Sequence, residues 1–394
     1  MDRRSRRVFG VLFLSIFAAI MGVGIVVPLL PVYARGMGAS GFYIGMIFGA
    51  FSLSRTFLLP FFGRLSDRRG RKPFIVCGLL CYALISLAFM RAGSVETLIL
   101  VRFVQGIASA MIMPVSQAYV GDITPVGSEG LTMGLFNMSV FWGLSLGPLI
   151  GGLINDRFNL DAAFGCMGLL ALVGCLASLL LLPPTRSERV VSRVQAALSW
   201  KLLLCDREIA ALFCVRFAYT ACIGIIWGFL PVFADNAFAL TSSAIGVLVM
   251  LGVFISGLIH VPMGYLADRF NRPAMILMGS LMVSAAILGF NWTRGFWSLF
   301  AVNVLFGIGG GVAMPAVMAL AVIKGNRTAA MGSVMGLLTM AHSLGMLAGA
   351  LLAGVMMDLF ELRHAFVLGS AVMLCGSVVF GVLQRGGGPG VSKP

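Results

Sequence analysis

Gly63-Arg64-Leu65-Ser66-Asp67-Arg68-Arg69-Gly70-Arg71-Lys72-Pro73 is the stretch on which the fold of this 394-residue chain is decided. It is a charged turn between two long apolar runs. Five of its eleven residues are basic, in a chain where 11% of residues are charged. It returns once, weakened, as Gly264-Tyr265-Leu266-Ala267-Asp268-Arg269-Phe270-Asn271-Arg272, 201 residues on. Gly63, Leu65, Asp67, Arg68 and Arg71 keep register with Gly264, Leu266, Asp268, Arg269 and Arg272. Asn271 stands where Gly70 stood, and Asn follows Gly in tolerance of left-handed backbone, so one turn conformation is expected at both. The repeat extends further. Leu30-Pro31-Val32 is echoed by Leu230-Pro231-Val232 at offset 200, and Gly106 and Met113-Pro114 by Gly307 and Met314-Pro315 at offset 201. Gly143, Gly147, Gly152, Asp156 and Phe158 are echoed by Gly345, Gly349, Gly354, Asp358 and Phe360 at offset 202. So steady an offset implies a duplicated architecture.

Composition gives the setting. The chain is 59% hydrophobic with a mean hydropathy of +1.01. Apolar runs of about 20 residues recur, long enough to cross a bilayer as helices. The spans are expected near 8–33, 42–62, 74–90, 97–119, 131–154 and 162–182, and again near 209–233, 243–266, 273–290, 296–323, 330–357 and 365–383. The fold class is therefore an all-α integral membrane protein of twelve transmembrane helices in two pseudo-symmetric six-helix bundles. The first bundle takes residues 1–183. A polar linker, 184–207, carries a short surface helix within 190–204, and the second bundle takes 208–384. The Gly-rich tail 385–394 has the composition of disordered chain.

The net charge of +14 is read as orientation and not as a nucleic-acid surface. With the N-terminus inside, the inner loops and ends hold 20 of the 28 Lys and Arg and the outer loops five. This excess of positive charge places both termini in the cytoplasm. The remaining three, Arg55, Arg102 and Arg216, lie within spans. The eight cysteines show no metal spacing and read as packing residues, with no disulfide. Gly307-Ile308-Gly309-Gly310-Gly311 lies inside an apolar helix with no Lys-Ser/Thr after it, so it is no phosphate loop. No Walker pair and no nucleophile–base arrangement is present. Neither an enzyme, a cofactor nor a metal site is expected.

The turn at 63–73 resembles the signature loop of the major facilitator superfamily. Leu100-Val101-Arg102-Phe103-Val104-Gln105-Gly106, with Ala108 and Ala110, is similar to that family's fourth-helix motif. Gly143, Gly147-Pro148 and Gly151-Gly152 resemble its antiporter motif in the fifth helix. The likeness covers nearly the whole chain and points to the twelve-helix drug:proton antiporter (multidrug efflux) group. It implies a secondary active transporter, a proton-coupled exporter working by alternating access in the plasma membrane (the bacterial inner membrane) as a monomer. Its partners are then the lipid bilayer, protons and a small-molecule substrate. The two charged turns become a latch: Gly63, Asp67, Arg68, Gly70 and Arg71 with Asp122, and Gly264, Asp268, Arg269 and Arg272. Asp122 is placed to receive an arginine of the first turn, and Gly63 and Gly70 to permit close approach and a tight reversal. Where the family carries basic residues after that Asp, Gly127-Ser128-Glu129-Gly130 carries an acid. The fifth-helix glycines become a seal against ion leak, or else serve ordinary helix packing. Helices one, four, seven and ten line a central cavity, and 24 Met and 30 Phe suit adaptable binding of lipophilic compounds.

One departure bears on the substrate. Phe17-Ala18-Ala19-Ile20-Met21-Gly22-Val23-Gly24-Ile25 of the first helix holds no acid, where many of these antiporters embed one. All fourteen acidic residues fall in tails, loops or helix ends. With three intramembrane arginines, the expected substrate is neutral, amphipathic or anionic. Arg102 lies a turn or two inside the fourth helix, where it either snorkels outward or takes part in proton coupling. Asp67, Asp122 and His342 are the other proton candidates. Gln105, Asn137, Arg216 and Asn303 are candidates for the substrate cavity or for interhelical hydrogen bonds. The competing readings are a metabolite exporter or facilitator without proton coupling, and a membrane sensor that binds ligand without moving it.

Overall fold

The computed structural model describes residues 3–125, 129–184, 205–328 and 331–385. The surface helix expected within 190–204, Gly127-Ser128 and the tail beyond 385 lie outside them. Among the described residues twelve helices are long and apolar enough to cross a membrane. Those of the first half are Arg3–Gly36, Gly41–Arg69, Arg71–Met90, Val95–Ile123, Glu129–Arg157 and Leu160–Leu181. Those of the second are Arg207–Phe238, Ser242–Arg269, Arg272–Trp292, Phe296–Arg327, Met331–Leu359 and Leu362–Arg385. The first breaks at Val27-Pro28 and restarts at Leu29, since Pro28 has no N–H to give the helical ladder. The sequence spans are each present, and most helices run several residues past the apolar core into charged ends.

Caps set the helix starts. Ser40 and Ser94 accept through Oγ from the Tyr43 and Thr97 amides, and Asn159 accepts through Oδ1 from the Ala162 amide at 2.8 Å. The charged turn itself is a single residue. Gly70 has φ 89° and joins the second helix to the third, a backbone value that residues with a Cβ adopt at a cost. Asn271 does not copy it. Its φ is −66°, and its side chain accepts from the Ala274 amide at 3.2 Å. The expected left-handed turn is therefore absent there, because Asn offers a helix cap that Gly lacks. Gly63 also departs from expectation: a Cβ on it, as on Gly264, would meet nothing within 4 Å.

The close approaches lie elsewhere, and they repeat. A Cβ on Gly143, Gly147 or Gly151 of the fifth helix would run into main-chain atoms of Phe17, Met21, Gly24 and Ile25 in the first. A Cβ on Gly345 or Gly349 of the eleventh helix would do the same against Phe217 and Ala221 of the seventh. Gly78 meets the fourth helix at Ala108 and Ile112, and Gly279 meets the tenth at Gly309 and Ala313. Such contacts replace the hydrophobic driving force that helices lack in lipid. The duplication read from sequence is thus a duplication of packing.

The chain forms two compact units, Met1–Ser192 with Leu230–Met250, and Arg193–Phe229 with Leu251–Pro394. The segment Leu230–Met250 belongs to the second sequence repeat and packs with the first unit.

Replacing Gly147 or Gly349 by Ala forces two helix backbones apart and is expected to cost about 1–3 kcal/mol. Gly63→Ala, in an open helix interior, is expected to stabilise by about 0.5–1 kcal/mol. Thermal unfolding of the detergent-purified variants checks both, and equal destabilisation by all three would contradict the packing.

Candidate functional site

At the end of the first bundle that carries the charged turn, Arg71, 6% exposed, joins three helices. It forms an ion pair with Asp67 of the second helix. Its Nε donates to Asp122 of the fourth at 3.2 Å, and its Nη1 donates to Ser66 Oγ at 2.8 Å. Ser66 donates in turn to the Gly63 carbonyl at 2.7 Å. The two carboxylates are half-exposed while the guanidinium between them is buried, so the arginine is held by charge on both sides. Arg68 is exposed.

The second half keeps only part of this. Arg272 lies 3.6 Å from Asp268, and Arg269 stacks on Tyr265 at 4.3 Å. The position 202 residues after Asp122 is Lys324, a cation in place of an anion. Its partners are acids at the start of the seventh helix: Asp206 at 2.9 Å and Glu208 at 2.8 Å. Asp206 also caps that helix, accepting from the Glu208 and Ile209 amides. Burial alone would push the Asp206 carboxyl up, but the Lys324 hydrogen bond and the two amides hold it below the ordinary carboxylate value. The basic ends of the two halves are thus closed by ion pairs of opposite wiring.

At the opposite face a carboxylate that sequence reasoning noted only as part of the repeat ties two helices. Asp156 at the end of the fifth helix accepts from the Ser242 amide at 3.0 Å and the Ser243 amide at 2.7 Å, and from Ser243 Oγ at 2.5 Å. Thr241 Oγ1 accepts from the Ala244 amide, and Asn155 donates to Ser242 Oγ at 2.8 Å. Three first-turn amides of the eighth helix are satisfied in this way, with an anion on the positive end of its dipole. Ala239 in the turn before it has φ 48°, an unfavourable value for alanine. Close packing accompanies this clasp: a Cβ on Gly152 would meet the Ser242 main chain, and one on Gly246 the Pro148 carbonyl. Within the antiporter motif, then, Gly143, Gly147, Gly151 and the Pro148 ring face the first helix, while the Pro148 carbonyl and Gly152 face the eighth. A cavity of about 200 Å³ beside the clasp, touching Tyr33, Asn155 and Ser242, falls below the roughly 300–1,000 Å³ of ligand pockets.

The interior charges are the third feature. Arg102 does not snorkel. It is 3% exposed, donates to Gln105 Oε1 at 2.7 Å and to the Ile47 carbonyl at 3.3 Å, and lies over the rings of Phe48 and Phe51 at 5.2 and 4.7 Å. Gln105 is fully buried in this contact. Arg55 keeps a buried Nε with no hydrogen-bond partner. Arg216 and His342 come together: Arg216 Nη2 stands 3.3 Å from His342 Nδ1, and Nη1 donates to Met314 Sδ at 3.0 Å. Among the described residues no carboxylate pairs with any of the three arginines. Asn303 is buried and donates to the Leu299 carbonyl of its own helix, and Asn137 is exposed, so neither joins these clusters.

The sequence matches the profile of the Major Facilitator Superfamily over residues 12–236 and 212–393. The chain belongs to the Major Facilitator Superfamily. Within it, the chain is 29% identical to an uncharacterised MFS-type transporter of Methanocaldococcus jannaschii, over 98% of both proteins. It is 28% identical to multidrug resistance protein 2 of Bacillus subtilis, over 94% of both. Among solved structures, the inward-facing, occupied form of a bacterial homologue of the human lysosomal transporter Spinster superposes with a TM-score of 0.82. That match covers 98% of each chain at 14% identity. The superfamily fold and the multidrug-type resemblance are therefore shown, and the fold is one of transporters.

Asp156→Ala removes the clasp acceptor. Hydrogen exchange at the Ser242 and Ser243 amides is expected to rise about tenfold, the equivalent of about 1.4 kcal/mol for a lost cap. An unchanged exchange rate there would contradict the clasp.

Proposed function

We propose that this superfamily member is a proton-coupled exporter of small lipophilic compounds, neutral or anionic, acting by alternating access. The observation that carries the substrate charge is the set of three intramembrane arginines, which have no carboxylate partner among the described residues. A lipophilic cation gains no counter-charge in such an interior, whereas an anion or a polar neutral group does. The similarity to a multidrug resistance protein supports export of small molecules. Charge asymmetry supports a plasma-membrane setting, the inner membrane of a bacterium, with both termini cytoplasmic. The protein acts as a monomer in this reading.

The charged turns are then the conformational latch. Asp67, Arg71 and Asp122 provide its linked part in the first half, with Gly63, Arg68 and Gly70 shaping the loop. Gly264, Asp268, Arg269 and Arg272 provide the weaker part in the second. The fifth-helix residues Gly143, Gly147, Pro148, Gly151 and Gly152 act as the seal. Asp67, Asp122 and His342 are the titratable groups through which a proton is coupled, and Arg102 takes part as a fixed charge. The acid-free first helix favours one rival, a facilitator that needs no proton.

Proteoliposomes test the two. An imposed pH gradient is expected to drive uphill movement of a lipophilic aryl carboxylate, and a protonophore to abolish it. Movement that runs only downhill and ignores the protonophore would establish the facilitator. No movement at all would leave a ligand-binding sensor.

A further inference from the structure

We propose that Arg216 and His342 form an oxyanion site, one that takes the anionic head of an amphipathic ligand and binds a proton with it. This rests on the transporter reading above and gives its substrate a chemistry and a place.

Arg216 sits nine residues into the seventh helix, about 13 Å along its axis from Arg207. Its guanidinium has five N–H donors and no acceptor. One goes to the Met314 sulfur, a weak acceptor, and one to His342 Nδ1. Nε is buried and has no hydrogen-bond partner. This is poor compensation for a cation at such depth, and it leaves donors for a planar oxyanion. Arg216 and His342 are half-buried, although Met314, Ala341 and Ser343 around them are buried. The neighbouring wall is apolar, with the rings of Tyr219 and Phe306 stacked at 6.0 Å.

The hydrogen bond also fixes the state of the imidazole. Because arginine accepts nothing, His342 Nδ1 is the acceptor and carries no proton. Adding one there removes the bond and leaves two cations 3.3 Å apart. An oxyanion between them turns that repulsion into two charge-assisted contacts. Binding of the anion thus takes up a proton at His342 Nδ1, and its departure releases one; that proton leaves with the anion, and export is driven by further protons returning through Asp67 and Asp122.

Among the described residues no carboxylate pairs with Arg216. Arg216 and Tyr219 come from the seventh helix. His260 comes from the eighth, within electrostatic reach of Arg216, with Nδ1 on the Ser256 carbonyl at 3.2 Å. From Arg272 through Met357, covering the ninth, tenth and most of the eleventh helix, the sequence has no Asp or Glu. The twelfth helix has none either.

The test uses the purified full chain in a neutral detergent, with thermal shift as the readout. 2-Naphthoate is the probe and 2-naphthamide its neutral isostere; short-chain phosphatidylglycerol and phosphatidylcholine form a lipid pair. Naphthoate is expected to raise the melting temperature and naphthamide to leave it unchanged. Arg216→Met is expected to fold and to weaken naphthoate binding at least tenfold. Wild-type affinity is expected to rise several-fold from pH 8 to pH 6, and His342→Gln to flatten that slope. Should Arg216→Met fail to fold, the His342→Gln slope decides alone. An Arg216-dependent shift with phosphatidylglycerol in place of naphthoate supports the site and names a lipid head group as its occupant. Equal binding of naphthoate and naphthamide, undiminished binding by Arg216→Met, or a pH slope retained in His342→Gln overturns it. Anion binding that passes these tests without proton-driven transport keeps the site and removes the exporter. Proton-driven transport with anion preference intact in Arg216→Met does the reverse.

Discussion

A guanidinium inside a bilayer keeps its charge, because arginine does not lose its proton at any pH a cell meets. The surrounding protein therefore has to answer that charge with hydrogen bonds, ring faces, a carboxylate or a ligand. In this chain the carboxylates are absent from the helix centres. Arg102 is answered by Gln105, the Ile47 carbonyl and two phenylalanine rings. Arg216 is answered by a thioether and an imidazole, and its buried Nε has no hydrogen-bond partner. These weaker acceptors leave Arg216 the greater capacity to bind an anion.

That electrostatic arrangement needs a rigid frame, and the frame is made of main chain against main chain. Glycines on the fifth and eleventh helices let the first and seventh approach at backbone distance. Lipid gives helices no hydrophobic reason to associate, so contact area at short range has to hold them. The same glycine register in both halves places Arg216 and His342 on helices that touch through Gly345 and Thr220. A substitution that widened that contact would move the pair apart without altering either side chain.

Polar ties then sit at the ends of the helices, where water reaches them. Arg71 gathers Asp67 and Asp122 at the basic face of the first half, and Lys324 gathers Asp206 and Glu208 in the second. At the opposite face Asp156 holds the first turn of the eighth helix. Each tie is partly exposed, so each breaks at moderate cost. Strong ties in the hydrocarbon region would instead oppose the conformational change that transport requires.

Much of the fold was legible because its constraints are local or periodic. Span length, charge asymmetry and the drift of the repeat offset all survive in one dimension, and the Arg71–Asp122 contact was anticipated from the loop motif. Conformation at a substituted position was not legible: Asn271 replaces Gly70 in register yet caps a helix. The direction in which a glycine row faces was also hidden, since the row of Gly143, Gly147 and Gly151 meets the first helix by virtue of tertiary placement. The Asp156 clasp left a faint signal in the Asp156/Asp358 repeat and the Thr241-Ser242-Ser243 cluster. The Arg216–His342 bond joins residues 126 apart, and no spacing rule reports it. The most direct measurement of the whole account is counterflow of a labelled aryl carboxylate in proteoliposomes, challenged by competitors of one shape and three charges. The account predicts strong competition by the anion, weak competition by the neutral amide and none by the ammonium. Preferential competition by the ammonium would contradict it.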